Sequence, residues 1–310
     1  MSTDRGDVMK VRFSASPASW DEWAPALRAA DPGIDLHRDG DPASFDAIIY
    51  APGGDITDFT PYRNVCLVQS LWAGVERIVT NDTLTQPLAR MVDPGLAQGM
   101  AEYCTGWAMR AHLGMDGYGQ NGIWRNGHIP PLASERPVTI LGVGELGRAT
   151  AAMLGAVGFP VTGVSHSGRA VPGIAMHPLA DLDEVLAGSQ IVICLLPDTA
   201  DTRNLLNARR LALLPKGAWI INAGRGTLID DDALLQGLRD GRPAHAVLDV
   251  FRSEPLAPDH PFWTHPGITV TPHVAADTRP ATAAPVAVQN LRRAMQGQPV
   301  DNLVDRAKGY

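Results

Sequence analysis

From residue 137 to residue 271 the chain alternates short, β-rich and mostly apolar runs with helical patterns. The runs 137–141, 161–165, 190–196, 218–222, 244–250 and 268–271 read as strands, and 145–157, 181–187, 202–214 and 230–240 read as helices between them. Strands without polar alternation are buried on both faces, and parallel neighbours need a crossover that lays a helix on one face or the other. Six such strands predict a doubly wound, Rossmann-like parallel α/β sheet.

The first hundred residues repeat the pattern more loosely. Residues 9–14, 46–50 and 65–69 read as strands and 20–30 as a helix. Asp93-Pro94-Gly95 is a break, followed by one long helix from 96 to about 118 that contains Gly99, Gly106 and Gly114. A helical glycine costs up to about 1 kcal/mol against alanine, so these suggest close backbone packing or a hinge. A chain of 310 residues exceeds what one core usually serves. The last helical pattern, 279–295, follows the completed second sheet and can return to the first. The predicted organisation is therefore a discontinuous domain, 1–95 plus 281–310, with a second domain, 96–280, inserted into it.

The sharpest local signal is Ile140-Leu141-Gly142-Val143-Gly144-Glu145-Leu146-Gly147-Arg148. It follows a predicted strand and opens a predicted helix, the context in which G-x-G-x-x-G binds a dinucleotide. Gly142 then permits the tight turn, Gly144 lets the backbone approach a pyrophosphate, and Gly147 lets helix and strand pack closely. The N–H groups at the helix start, from Glu145 and Leu146 onward, face the phosphate charge. A site for NAD ends its second strand with a carboxylate for the ribose 2′-hydroxyl, about 20 residues on. Here the chain reads Ser165-His166-Ser167-Gly168-Arg169, with no carboxylate before Asp181. Hydroxyls, an imidazole and a guanidinium suit a 2′-phosphate, so NADP(H) is preferred, while NAD(H) remains compatible with a polar turn.

Three polar residues fall just beyond the ends of later strands, where open α/β sheets place their ligands. Arg225 lies in Asn222-Ala223-Gly224-Arg225-Gly226, Glu254 in Asp249-Val250-Phe251-Arg252-Ser253-Glu254-Pro255, and His273 in Thr271-Pro272-His273-Val274-Ala275. Singly they read as a surface arginine, a solvated acid and a core histidine; together, beside a cofactor fingerprint, they point to one site. The chemistry of the set is coherent. Hydride addition to a keto carbon leaves an alkoxide unless an acid stands beside the oxygen. A carboxylate near an imidazole favours the charged, proton-donating form, and a guanidinium fork matches a planar carboxylate.

These segments, in this order, resemble the D-isomer-specific 2-hydroxyacid dehydrogenases, and most of all their bacterial glyoxylate/hydroxypyruvate reductase branch of the A type. Met100-Ala101-Glu102-Tyr103, Gly122-Ile123-Trp124, the Leu195-Leu196-Pro197-Asp198 stretch and Thr278-Arg279-Pro280 add to the likeness. It covers nearly the whole chain and is clearest from about residue 93 to 281. The resemblance implies two Rossmann-like domains, with the cofactor domain inserted into a flavodoxin-like substrate domain, and assembly as a homodimer. It implies NAD(P)H-dependent reduction of small 2-keto acids, glyoxylate to glycolate and hydroxypyruvate to D-glycerate. Phenylpyruvate, lactate-type or phosphoglycerate substrates are the alternatives within the family, and a dinucleotide-sensing regulator is the alternative outside catalysis. Formate oxidation is disfavoured, because those relatives carry Gln where Glu254 stands.

By the same resemblance Arg225 binds the substrate carboxylate and polarises the keto oxygen, His273 donates the proton, and Glu254 pairs with His273. The backbone of Trp72, Ala73 and Gly74 belongs to a substrate-carboxylate loop. Leu196, Pro197, Ala223, Gly224, Asp249 and Ala275 join the glycine turn around the cofactor, with Asp249 near the nicotinamide ring. Trp124 either reaches a neighbouring subunit's pocket or simply packs at the interface.

Composition and charge narrow the rest. Lys+Arg 26 against Asp+Glu 33, a net charge of −7 without a basic run, disfavours nucleic acid and anionic membrane as partners. Met1 to Phe13 lacks the apolar stretch of a signal peptide and no window is long enough for a membrane span, so a cytoplasmic protein is expected. Cys66, Cys104 and Cys194, odd in number and widely spaced, read as reduced thiols. His260 and His265 lack a ligand cluster, and Asp230-Asp231-Asp232 reads as a helix cap, so no metal site is expected.

Overall fold

A computed structural model describes residues 8–118, 124, 126–127 and 129–306. The chain divides into two units, residues 1–96 with 278–310, and residues 97–277. The first unit opens with β1 (Met9–Ser14), α1 (Pro17–Ala30), β2 (Ile34–His37), β3 (Ala47–Tyr50), β4 (Val68–Ser70) and β5 (Leu88–Ala89). All five strands are parallel, in the order β2-β1-β3-β4-β5. β2 and β5 are additional to the strands expected. In β2, Ile34 and Leu36 are buried and Asp35 is exposed, the half-buried alternation of an edge strand.

α2 (Pro94–Leu113) follows, begun by Asp93. That buried carboxylate accepts the N–H groups of Gly95 (2.9 Å), Leu96 (3.1 Å) and Arg279 (3.0 Å). The helix ends at Leu113 rather than at about 118, because Gly114 takes a left-handed φ of +62°. Gly99 lies against Ala276, whereas Gly106 meets nothing on its open side.

The second unit contains β6 (Val138–Leu141), α3 (Glu145–Val157), β7 (Val161–Ser165), β8 (Ala175–Pro178), α4 (Leu182–Gly188), β9 (Ile191–Cys194), α5 (Ala208–Leu211), β10 (Trp219–Asn222), α6 (Asp231–Arg239), β11 (His245–Leu248) and β12 (Ile268–Val270). Its seven parallel strands run β12-β11-β10-β9-β6-β7-β8. Side chains alternate between two cores. Ile140, Ile193 and Val247 meet Met100, Cys104, Ala151 and Leu154 of α2 and α3, whereas Leu141, Val192 and Leu248 meet Leu182, Leu186, Leu211 and Leu234 of α4, α5 and α6. The sheet is doubly wound, as the mostly apolar runs require. The strand order reverses between β6 and β9, so the topological switch point lies at their C-terminal ends.

Two expectations needed correction here. The seventh strand, β8, pairs only with β7 and ends in Pro178; at an edge the missing N–H costs no ladder bond. The helix expected over 202–214 shrinks to Ala208–Leu211. Thr202 Oγ1 donates to Pro197 O (2.7 Å) and accepts the N–H of Thr199, and Asn204 adopts φ +51°, so turn hydrogen bonds displace the helix. The chain then returns to the first unit as α7 (Pro280–Met295), which packs beside α1 through Ala283, Ala287 and Leu291 against Trp23 and Leu27.

Candidate active site

The glycine turn occupies the switch point. Gly142 has φ +104°, and a Cβ there would lie 2.7 Å from the Leu195 carbonyl. A Cβ on Gly147 would lie 2.1 Å from Gly142 O, so the first turn of α3 presses on the turn that precedes it. Gly144 differs: its φ of −79° suits any residue and nothing lies within 4 Å of its Cβ position. Arg148 N reaches Gly144 O (2.9 Å), and the N–H groups of Glu145, Leu146 and Gly147 make no hydrogen bond among the described residues. That arrangement leaves an open, donor-lined helix terminus, the environment an anionic pyrophosphate requires. The adjoining backbone at Leu196–Pro197 and Ala223–Gly224 follows β9 and β10, with Ala223 N bonded to Cys194 O.

At the end of β7, Ser165 Oγ accepts Gly168 N (3.1 Å) and Ser167 Oγ accepts Arg169 N (3.3 Å). His166, Ser167 and Arg169 are exposed. Gly168 is left-handed (φ +63°) and its Cβ would collide with Pro178, so this tight turn has no room for another residue. The result is a small polar arch with donors and a positive charge and no carboxylate. It fits a 2′-phosphate better than a free 2′-hydroxyl.

β10, β11 and β12 lie side by side, which brings the segments after them together. Asn222 is buried and staples the first: its Nδ2 donates to Arg225 O (3.0 Å) and its Oδ1 accepts Gly224 N (3.2 Å). Arg225 Nη1 donates to Gly224 O at 2.7 Å. A Cβ on Gly226 would stand 2.0 Å from the Phe251 carbonyl carbon, so the Arg225 loop and the Glu254 loop meet backbone to backbone. Glu254 Oε1 accepts Phe251 N (2.9 Å), and Oε2 lies 2.7 Å from His273 Nδ1. With Nδ1 engaged by the carboxylate, the outward ring nitrogen Nε2 is the one placed to carry a proton to a ligand. Arg252 pins this loop from behind, binding Asn204 and the Ile229 carbonyl through Nη2 and Asp231 through Nε (3.3 Å).

His273 sits at φ +54°, a conformation that costs a non-glycine residue about 1–3 kcal/mol. Asp249 holds it there. Its backbone carbonyl accepts His273 N (2.9 Å), while its carboxylate accepts Thr271 Oγ1 (2.6 Å), Val274 N (2.9 Å) and Ala275 N (3.0 Å). The Asp249 side chain is only 1% exposed, so its carboxylate is committed to the turn that carries His273.

In the first unit, the segment after β4 carries Trp72, Ala73 and Gly74. The Trp72 N–H is already donated to Ser70 Oγ (3.1 Å) and its carbonyl accepts Met91 N, whereas the N–H groups of Ala73 and Gly74 make no hydrogen bond among the described residues. The indole of Trp72 is 45% exposed. Trp124 is 91% exposed; Gly122 and Ile123 beside it lie outside the described residues. Asp230 caps α6, its carboxylate accepting Ala233 N at 2.9 Å. Residue-by-residue reading of the sequence gave no role to Asn222, Thr271 and Arg252: Asn222 bonds within its own turn, whereas Thr271 and Arg252 make hydrogen bonds to distant parts of the chain.

Comparison with known proteins identifies the family. Residues 107–275 match the family described as D-isomer specific 2-hydroxyacid dehydrogenase, NAD binding domain. A glyoxylate/hydroxypyruvate reductase A from Salmonella newport is 33% identical over 309 residues, covering 94% of this chain and 96% of its own. A D-isomer specific 2-hydroxyacid dehydrogenase from Xanthobacter autotrophicus Py2, solved with NADPH and MES, superposes with a TM-score of 0.91 at 38% identity, covering 98% of this chain and 100% of the other. An NADPH-dependent glyoxylate/hydroxypyruvate reductase from Sinorhizobium meliloti, solved with NADP and sulfate, gives 0.86 at 31% identity over the same shares. The chain therefore belongs to the D-isomer specific 2-hydroxyacid dehydrogenase family.

Proposed function

We propose that this protein reduces small 2-keto acids with NADPH, foremost glyoxylate to glycolate and hydroxypyruvate to D-glycerate. The observation that carries the reading is the His273–Glu254 pair at 2.7 Å, which joins the segments after β12 and β11 beside the Arg225 turn after β10, at the same end of the sheet as the open N-terminus of α3. Bound NADPH supplies the hydride. His273 supplies the proton from Nε2 to the keto oxygen, and Glu254 stabilises the ring while it holds the positive charge. Arg225 pairs with the substrate carboxylate and draws electron density toward the keto oxygen. Ala73 and Gly74 offer the backbone donors of the carboxylate loop, with the Trp72 indole beside them. Ser165, His166, Ser167 and Arg169 hold the 2′-phosphate, while Leu196, Pro197, Ala223 and Gly224 provide backbone around the cofactor. Asp249 and Ala275 act through the turn that aims His273.

Exposed apolar side chains at Met115, Tyr118, Trp124, Ile129, Leu132 and Val157 support assembly as a homodimer, with Trp124 reaching the neighbouring subunit's pocket. The three cysteines are free thiols, which suits the reducing cytoplasm, and no helix among the described residues is long and apolar enough to cross a membrane. A panel of glyoxylate, hydroxypyruvate, pyruvate and phenylpyruvate, each with NADPH and with NADH, tests the reading. Fastest turnover is expected for the two small substrates with NADPH. No coenzyme oxidation with any 2-keto acid would overturn it, and faster turnover with NADH would overturn the cofactor assignment.

A further inference from the structure

Beneath the His273 turn runs a chain of hydrogen bonds that the reaction as described leaves unexplained. Tyr103 Oη, on α2, lies 2.7 Å from Thr271 Oγ1, and Thr271 Oγ1 donates to Asp249 Oδ1 at 2.6 Å. A hydroxyl has one proton. Because an ionised carboxylate only accepts, the Thr271 proton goes to Asp249, and Tyr103 must be the donor to Thr271. Burial raises the ionisation of the Tyr103 phenol far above its ordinary value, with the Asp249 charge adding to the same effect, so this donor keeps its proton throughout the working pH range. The ring is fixed edge-on to Trp107, with centroids 6.1 Å apart. Beyond Asp249 the chain divides to Val274 N and Ala275 N, on the far side of the strained residue.

We propose that Tyr103 is a positioning residue for the proton donor His273: by donating to Thr271 it orders the Thr271–Asp249–Val274/Ala275 chain that holds His273 in its left-handed conformation. The inference rests on the reductase reading for its kinetic consequence, but its structural content stands apart from it. Hydrogen bonds in series orient one another, so losing the terminal donor loosens the whole run. Phenylalanine at 103 keeps the ring packing and removes only the hydroxyl.

The test compares wild type, Tyr103→Phe, Thr271→Val and the double variant. In Tyr103→Phe the kcat for glyoxylate reduction is expected to fall about fivefold, the worth of one neutral hydrogen bond, with an unchanged KM for NADPH. The solvent deuterium isotope effect should grow, because a loosely aimed acid makes proton transfer slower. In the coenzyme-free protein the Val274 and Ala275 amides should exchange with solvent about fivefold faster. On the Thr271→Val background, removing the Tyr103 hydroxyl should change neither quantity further. Wild-type kcat and amide exchange in Tyr103→Phe would overturn the proposal, as would an effect of equal size on the Thr271→Val background. A wild type that reduces no 2-keto acid would sink the reductase reading, while amide exchange would still decide the role of Tyr103.

Discussion

The three glycines of the α3 turn make separable predictions, because they have different surroundings. At Gly147 a Cβ would stand 2.1 Å from Gly142 O, and at Gly142 2.7 Å from the Leu195 carbonyl, backbone atoms that cannot step aside. Alanine at either position should cost about 1–3 kcal/mol of stability or more, by overpacking, and should lose cofactor as a consequence. Gly144→Ala is the informative case. Its φ of −79° is open to alanine and nothing lies within 4 Å of the new methyl group. Stability should therefore stay within about 1 kcal/mol of wild type, since alanine is a poorer N-cap than glycine but also removes about 0.4–1 kcal/mol worth of freedom from the unfolded chain. Cofactor binding should not survive so well. The methyl group occupies the space through which a pyrophosphate would approach the N–H groups of residues 145–147, and one charge-assisted hydrogen bond is worth about 1.5–3 kcal/mol. The NADPH Kd should therefore rise roughly 10- to 100-fold. Fluorescence titration with NADPH, beside thermal unfolding of the same preparation, reads both quantities. A folded Gly144→Ala protein with wild-type NADPH affinity would refute the placement of the pyrophosphate at this helix end.

Other perturbations test other parts of the account. Arg225→Ala should bind NADPH normally yet lose about a hundredfold or more of its turnover with glyoxylate, because the carboxylate is no longer held in line; steady-state kinetics with a binding titration would show it. Cys104 and Cys194 are buried, and burial pushes both thiols up to about 12, so a thiol reagent at pH 8 should reach at most the half-buried Cys66 until the protein is unfolded. Rapid labelling of all three native thiols would contradict that packing. Burial, with the Arg136 guanidinium second, holds the His112 ring below its ordinary value of 6.5. The unfolded chain then binds a proton that the folded chain refuses, so stability is full above about pH 6.5 and falls as pH drops below it. Urea unfolding at pH 7.5 and 5.5 should show a smaller loss for His112→Gln than for wild type, and equal losses would refute the assignment.

What the sequence revealed follows from where information lies along a chain. The core strands of the second sheet were legible because Ile191–Cys194 and the Trp219-Ile220-Ile221 run are apolar without interruption. The edge strand β8 was hidden, because its residues are partly exposed and it ends in proline. The stretch 202–214 has helical spacing, but the Thr202 hydroxyl and the left-handed Asn204 offer the backbone turn bonds that local pattern does not weigh. Arg225, Glu254 and His273 stood out because each follows an apolar run at a short, fixed distance. Their supports did not. Tyr103 and Thr271 are 168 residues apart, and the bond between them exists only once α2 is laid against the sheet. Nor could composition show that Ser70 Oγ takes the Trp72 N–H, leaving Ala73 and Gly74 as the donors of that loop.

The most direct trial of the account removes the imidazole and leaves everything else. His273→Ala should oxidise NADPH in the presence of glyoxylate at least about a hundredfold more slowly than wild type at neutral pH, the usual contribution of a placed acid, while NADPH affinity stays within about twofold. Comparable oxidation rates in the two proteins would contradict the assignment of His273 as the proton donor, and with it the reading of this end of the sheet as a reductase site.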